Sequence, residues 1–430
     1  MEIKHTTTSG VNIYTYKNPT LHGFYISLFV RAGSMYEDEG ERGITHFLEH
    51  TLVRNVNKQR GGALYPTLDR EALEFNASTY SEMVQFYVSG ATEKFKIGAQ
   101  ILADVLSPIS LSKSEVDTER RRIKAEIRES DDKSSLANFT SDVVFEGTSL
   151  AGSILGTNSG VDKISTKRLE EYRGRIFTAK NIFFYVTGNF TDEDISALSA
   201  LVDSHSISEG SDLAVRDNVA PVPHNFGKRD ADVRIKNADY TMIRFTFDVD
   251  MSRVSSQVLD LIYDMLLSGY NSPFFVEMSE ERGMFYDITG ATERYRNIGT
   301  IHFTYEVKEK NIYDAVRMTA RILRDFKAKT YDESECMKGG YVDNAYMLYD
   351  DARECGFTLA YDNHIMGLGY KTLDERRATY SALGGEDVRT AAGIIFRPEN
   401  LTITVKGNKR TLNKERIREC ALEMEDNHGL

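Results

Sequence analysis

The chain has 430 residues, 41% of them hydrophobic, and a formal net charge of −12 from 53 basic and 65 acidic side chains. That length suggests more than one domain, and the acidic balance argues against nucleic acid as a partner while allowing mild attraction to basic or neutral peptides. No stretch approaches the ~20 consecutive apolar residues of a membrane span, and Cys336, Cys355 and Cys420 show no metal-binding spacing.

Met1 to Thr8 holds no apolar run suited to a secretory leader. The odd, unpatterned cysteines fit a reducing compartment, so a cytoplasmic protein is expected. The first long strand is expected from Phe24 to Arg31. Past a turn at Gly43, Ile44 to Val53 contains neither Pro nor Gly and sets Ile44, Phe47, Leu48 and Leu52 at helical spacing. On that helix His46, Glu49 and His50 stand at i, i+3 and i+4 and share one face. Two imidazoles so placed can be a core pair, or they can offer two nitrogens to one metal. A catalytic zinc takes nitrogen and carboxylate ligands, three in all, with one position left open. A third ligand is therefore required.

Gly61-Gly62 leads into Ala-Leu-Tyr-Pro rather than a phosphate-cradling loop. Phe75 to Tyr80 and Met83 to Ser89 read as a β-hairpin. Ser112-Lys113-Ser114-Glu115 is a capping-box start, and a helix is expected from there to about Ser130. Val116, Ile123 and Ile127 form its apolar stripe. Glu119 and Glu126, seven residues apart, nearly eclipse each other beside that stripe, where a carboxylate needs a metal or a hydrogen-bond donor. Glu115 and Glu129 read as solvated.

The second half repeats the first faintly. Asn181 to Asn189 and Asn400 to Asn408 both read as a buried strand opened by Asn and closed by Gly-Asn, displaced by 400 − 181 = 219 residues. Strands at Phe24 to Arg31 and Val233 to Asp248 open the two halves, and clustered helices follow each. This order suggests an α+β fold with helices on one sheet face. Residues 205–229 carry Ser, Gly, Asp, Pro221 and Pro223 and read as a linker. The expected domains are 1–215 and 216–430, the second without the histidines.

Taken together, the two motif helices resemble those of the inverzincins, the peptidase family of pitrilysin, insulin-degrading enzyme and mitochondrial processing peptidase. There the ligand glutamate lies well beyond the second histidine, with another important glutamate two helical turns earlier. Here the gap is 126 − 50 = 76 residues, and Glu119 stands seven before Glu126. The resemblance implies two homologous α/β sandwich domains, each a mainly antiparallel sheet, and one Zn2+ per chain held by His46, His50 and Glu126. Glu49 is then the general base, passing a proton from water to the leaving amine. Glu119 joins the catalytic group as the residue that orients the site.

Asn76-Ala77-Ser78-Thr79 is similar to the family's edge strand, which implies that Asn76 and Ala77 bind substrate main chain. Phe274 to Tyr286 is similar to a family segment carrying an Arg and a Tyr seven residues apart. Tyr286 takes the tyrosine position, whereas Ser279 stands where the arginine belongs and Arg282 lies three residues on. The implied function is a zinc endopeptidase acting on short or unfolded peptides inside a dimeric chamber, with peptide maturation as a narrower role. A heterodimer whose related partner supplies the Arg/Tyr pair is expected; a homodimer using Tyr286 and Arg282 is the alternative. From a different class, a non-catalytic scaffold or assembly subunit would share the fold.

Overall fold

Gly23–Val30 is apolar at nearly every position, the pattern of a strand covered on both faces, and it lies inside a six-stranded sheet. The computed structural model describes residues 1–133, 135–210, 226–285, 287–295 and 297–425. One compact unit gathers Met1–Lys133, Gly152–Ala220 and Asn344–Glu375; a second gathers Ser134–Ala151, Pro221–Asp343 and Arg376–Leu430. Each unit includes a segment from the other half of the sequence. The expected junction at 215/216 lies outside the described residues.

In the first unit the strands are β1 (Ile3–Thr6), β2 (Asn12–Lys17), β3 (Gly23–Val30), β4 (Glu74–Thr79), β5 (Val84–Ala91) and β6 (Ile182–Gly188), in the order β1-β2-β6-β3-β5-β4. Only the β2/β6 pair is parallel. One sheet face meets α1 (Ile44–Gln59), α2 (Leu64–Glu71), α3 (Phe95–Ala103) and α4 (Lys113–Lys133). Ile26, Leu28, Phe86 and Val88 from the sheet share a core with Phe47, Leu52, Ile101, Val116 and Ile123. The opposite face carries Phe29, Phe183 and Tyr185, which pack with Cys355 and Leu359 of the helix Ala352–Ala360.

The second unit has β7 (Asp232–Asn237), β8 (Met242–Asp250), β9 (Ile288–Arg294), β10 (Ile298–Glu306) and β11 (Leu401–Gly407), ordered β7-β11-β8-β10-β9. Again one pair, β7/β11, is parallel and the rest antiparallel. This order repeats β2-β6-β3-β5-β4, and β11 begins 401 − 182 = 219 residues after β6. The duplication read from two short strands therefore extends to the whole sheet. Phe245, Phe247 and Phe303 anchor the helix-covered face together with Ile262, Leu323 and Ile395. On the other face α5 (Ser135–Val144) packs on β8 and β11, and the Thr140 and Thr404 hydroxyls lie 2.5 Å apart.

The fold is thus α+β, with two domains of like design, each combining a mostly antiparallel sheet with helices; where one helix-covered face was expected, both faces are covered, because each unit takes in a helix from the other half of the sequence. One expected element divides: Val233 to Asp248 is not a single strand. β7 runs parallel to β11 and β8 antiparallel to it, on its two sides. The chain must reverse between them, and it does so through residues 238–241. Among the described residues no helix is long and apolar enough to cross a membrane.

Candidate metal centre

The motif helix enters through Gly43, whose φ of 90° suits glycine, and a Cβ there would lie 2.7 Å from the Leu155 carbonyl oxygen. Its first N–H groups lack intrahelical partners. The buried Glu37 carboxylate supplies them, accepting from Gly43 N and Thr45 N at 2.9 Å each. Burial pushes Glu37 up to about 7, against these two bonds. Ile44, Phe47, Leu48, Leu52 and Val56 are buried in the core, and the 3.6-residue period turns His46, Glu49 and His50 elsewhere. The helix runs from Ile44 through Gln59.

On α4, Val116, Ile123 and Ile127 enter the same core. Glu119 and Glu126 are thereby brought to α1. His46 Nε2 and His50 Nε2 lie 3.7 and 3.5 Å from Glu126 Oε2, and His50 Nδ1 lies 3.6 Å from Glu119 Oε2. His46, His50 and Glu126 each offer a ligand atom, all within 4.8 Å of one another. Tetrahedral zinc with bonds of ~2.0–2.1 Å separates its ligand atoms by about 3.4 Å. The two measured separations from Glu126 are close to that edge, so these donors fit zinc. Glu126, with 45% of its side chain exposed, leaves a path for water or substrate.

Electrostatics distinguish the two rings. Burial, aided by His50 and opposed by Glu126, pushes His46 down to about 4. Burial acts the same way on His50, but contacts with Glu119 and Glu126 outweigh it and push the ring up to about 9. The two carboxylates thus face opposite nitrogens of the His50 ring, Glu119 at Nδ1 and Glu126 at Nε2. Glu126 is held below the usual carboxylate range by its His50 contact. Glu49 is not among the clustered ligand atoms. Its Oε2 accepts a 2.7 Å bond from Thr79 Oγ1, and burial raises its carboxyl against that bond.

The remaining expected residues are placed as follows. Asn76 is exposed on the edge strand β4, where its Oδ1 accepts from Ala77 N at 2.9 Å; both residues line a cavity that reaches Glu49 and His50. In the second unit Ser279 sits in the π-helix Phe275–Glu280 and donates to Phe285 O at 3.2 Å, while Arg282 is exposed. Tyr286 lies outside the described residues. Three further contributors were not singled out by sequence: Glu37, Thr79 and Arg54, whose Nη1 donates to Glu119 Oε1 at 2.6 Å. Arg54 stands four residues after His50 and was reachable by the same helical spacing. Glu37 and Thr79 lie on other segments and gave no local signal.

Residues 12–158 match the profile of the insulinase family, peptidase family M16, and residues 163–338 match the peptidase M16 inactive domain. A protein of Rickettsia bellii named as an uncharacterized zinc protease is 23% identical over 324 residues, 74% of this chain and 75% of that one. Bovine (Bos taurus) cytochrome b-c1 complex subunit 1 is 26% identical over 216 residues, 46% of this chain and 45% of its own. In structure, a protease from Helicobacter pylori superposes with a TM-score of 0.82 at 15% identity, covering 94% of this chain and 99% of that one.

Proposed function

We propose, from the premise that this chain belongs to the insulinase family of peptidases (M16), that it is a zinc-dependent endopeptidase cutting short or unfolded peptides. The observation that carries the reading is the convergence of His46, His50 and Glu126, with Glu49 beside them but held apart by Thr79. His46, His50 and Glu126 would hold one zinc per chain. When bound, zinc supplies Lewis acidity, lowering the pKa of water and polarising a carbonyl.

The chain's own groups do the rest. Glu49 is buried, which raises its affinity for a proton. With Oε2 engaged by Thr79, its Oε1 accepts the proton of the attacking water and returns it to the leaving amine. Glu119 receives His50 Nδ1 and fixes the ring's orientation and tautomer. Asn76 and Ala77 present the free edge of β4, to which a peptide adds as a further strand by main-chain hydrogen bonds.

Ser279 offers no guanidinium, so a related partner chain in a heterodimer supplies the Arg/Tyr pair, and the pair encloses the substrate in the cytoplasm. Likeness to a cytochrome b-c1 subunit favours a second reading, a non-catalytic assembly subunit. The intact set of His46, Glu49, His50 and Glu126 weighs against it. Glu49→Gln is expected to keep zinc, read by metal analysis, and to lose about 10²-fold or more of peptide turnover. Glu126→Gln is expected to lose zinc. Full turnover by the Glu49→Gln protein would refute the mechanism.

A further inference from the structure

Beside Glu49 and His50 a cavity of about 670 Å³ opens between α1, β4 and α4, with Arg54, Tyr65, Phe75 and Arg122 in its wall. Its wall sets Arg54, Lys58 and Arg122 against Glu49, Glu115 and Glu119. Lys58 and Glu115 neutralise each other at 2.7 Å. Glu119, with only 2% of its side chain exposed, is shared by two guanidiniums: Arg54 Nη1 at 2.6 Å and Arg122 Nη1 at 3.1 Å. Two guanidiniums on one carboxylate leave a local excess of one positive charge around Glu119, in a chain whose net charge is −12.

Each guanidinium has five N–H donors. Among the described residues only Nη1 of each is engaged, with Glu119. Arg54 is 29% exposed and Arg122 62% exposed at the side chain, so donors remain available toward the cavity. Arg54 follows His50 by one turn, about 6 Å along the axis. A substrate in extended form advances ~3.3 Å per residue, so a side chain one or two positions from the scissile bond reaches it. Tyr65, Phe75 and Val53 give an apolar flank for the methylenes of such a side chain.

We propose that Arg54 and Arg122 form a carboxylate-binding subsite next to the metal centre, which selects peptides carrying an acidic group close to the cleaved bond. This rests on the peptidase reading for its place in catalysis, and a binding experiment tests it separately. The zinc-loaded full-length Glu49→Gln chain is titrated with fluorescent peptides that differ only by Glu or Gln at one position. A further pair differs by a free or an amidated C-terminus.

One Glu peptide is expected to bind about tenfold more tightly than its Gln twin, as a charged bidentate contact does. That ratio is expected to fall to about one when Arg54→Gln is added and to shrink with Arg122→Gln. A tenfold effect confined to the free C-terminus would support the subsite and assign its carboxylate to the chain end. Equal binding of every pair, or a ratio that survives both arginine variants, would overturn the proposal. Because each ratio is taken on a single variant, general damage from disturbing Glu119 cancels. A chain that shows the ratio but never cuts a peptide with Glu49 intact, even when the partner chain is added, would refute the peptidase reading and leave the subsite standing.

Discussion

Glu119 is nearly enclosed, yet it is ionised. Burial opposes its charge, but the contacts with His50 and Arg54 outweigh burial and hold the carboxyl below its ordinary value. The residue thereby ties three side chains together without being one of the three clustered ligands. Replacing it with Gln keeps His46, His50 and Glu126 but removes the anion that His50 Nδ1 faces. Zinc affinity is expected to fall roughly 10–100-fold, the usual cost of losing such a supporting partner, as read by competition with a chelating dye. Unchanged affinity would make Glu119 a bystander to metal binding. Glu126→Gln is expected to lose far more, since it removes a ligand outright.

At the level of elements, α1 is fixed at its N-terminus by a group six to eight residues upstream. Glu37 satisfies the N–H groups of Gly43 and Thr45, and the Thr45 hydroxyl meets Tyr172 OH at 2.7 Å. Because burial raises the folded-state pKa of Glu37 from 4.5 to about 7, the protonated carboxyl is the form that folding favours. Its contribution is therefore complete below pH 4.5 and is lost as the pH rises through about 7. That span corresponds to roughly 3 kcal/mol. Glu37→Gln has no such proton. Urea midpoints of the two proteins across pH 4.5 to 8 are expected to show the wild type losing stability relative to the variant over that window. A constant difference would contradict the assignment.

At the scale of the whole molecule, the two sheets repeat one strand order, but among the described residues the cluster of His46, His50 and Glu126 occurs in one unit only. The helix Ser256–Leu267, at the duplicated place of α1, contains no histidine. In the second unit Ser279, which stands where the family resemblance places an arginine, donates to the Phe285 carbonyl. If a partner chain provides the missing guanidinium, Ser279→Arg is expected to raise turnover by the purified chain about tenfold or more, since a donor aimed at the scissile carbonyl is worth at least that much. Turnover unchanged by the substitution would count against a divided site.

Much of the metal centre was legible because it depends on covalent spacing. His46, Glu49 and His50 share a face in any helix, and so do Glu119 and Glu126, whatever surrounds them. Thr79 was not legible as the partner of Glu49, since that bond exists only once β4 lies beside α1. The split of Val233 to Asp248 was hidden for a similar reason: each piece is a good strand by composition, and only pairing on opposite sides of β11 forces the reversal.

Chain order and spacing settled which residues face together on each helix, and that the design is used twice with the His46/His50 pair in the first copy alone. Tertiary structure alone decided that α4 lies against α1, that Arg54 and Arg122 divide one carboxylate, and that segments cross between the two halves to cover the sheets. Periodicity is a property of neighbouring peptide units, whereas those arrangements follow from burying apolar faces contributed by parts of the chain far apart in sequence.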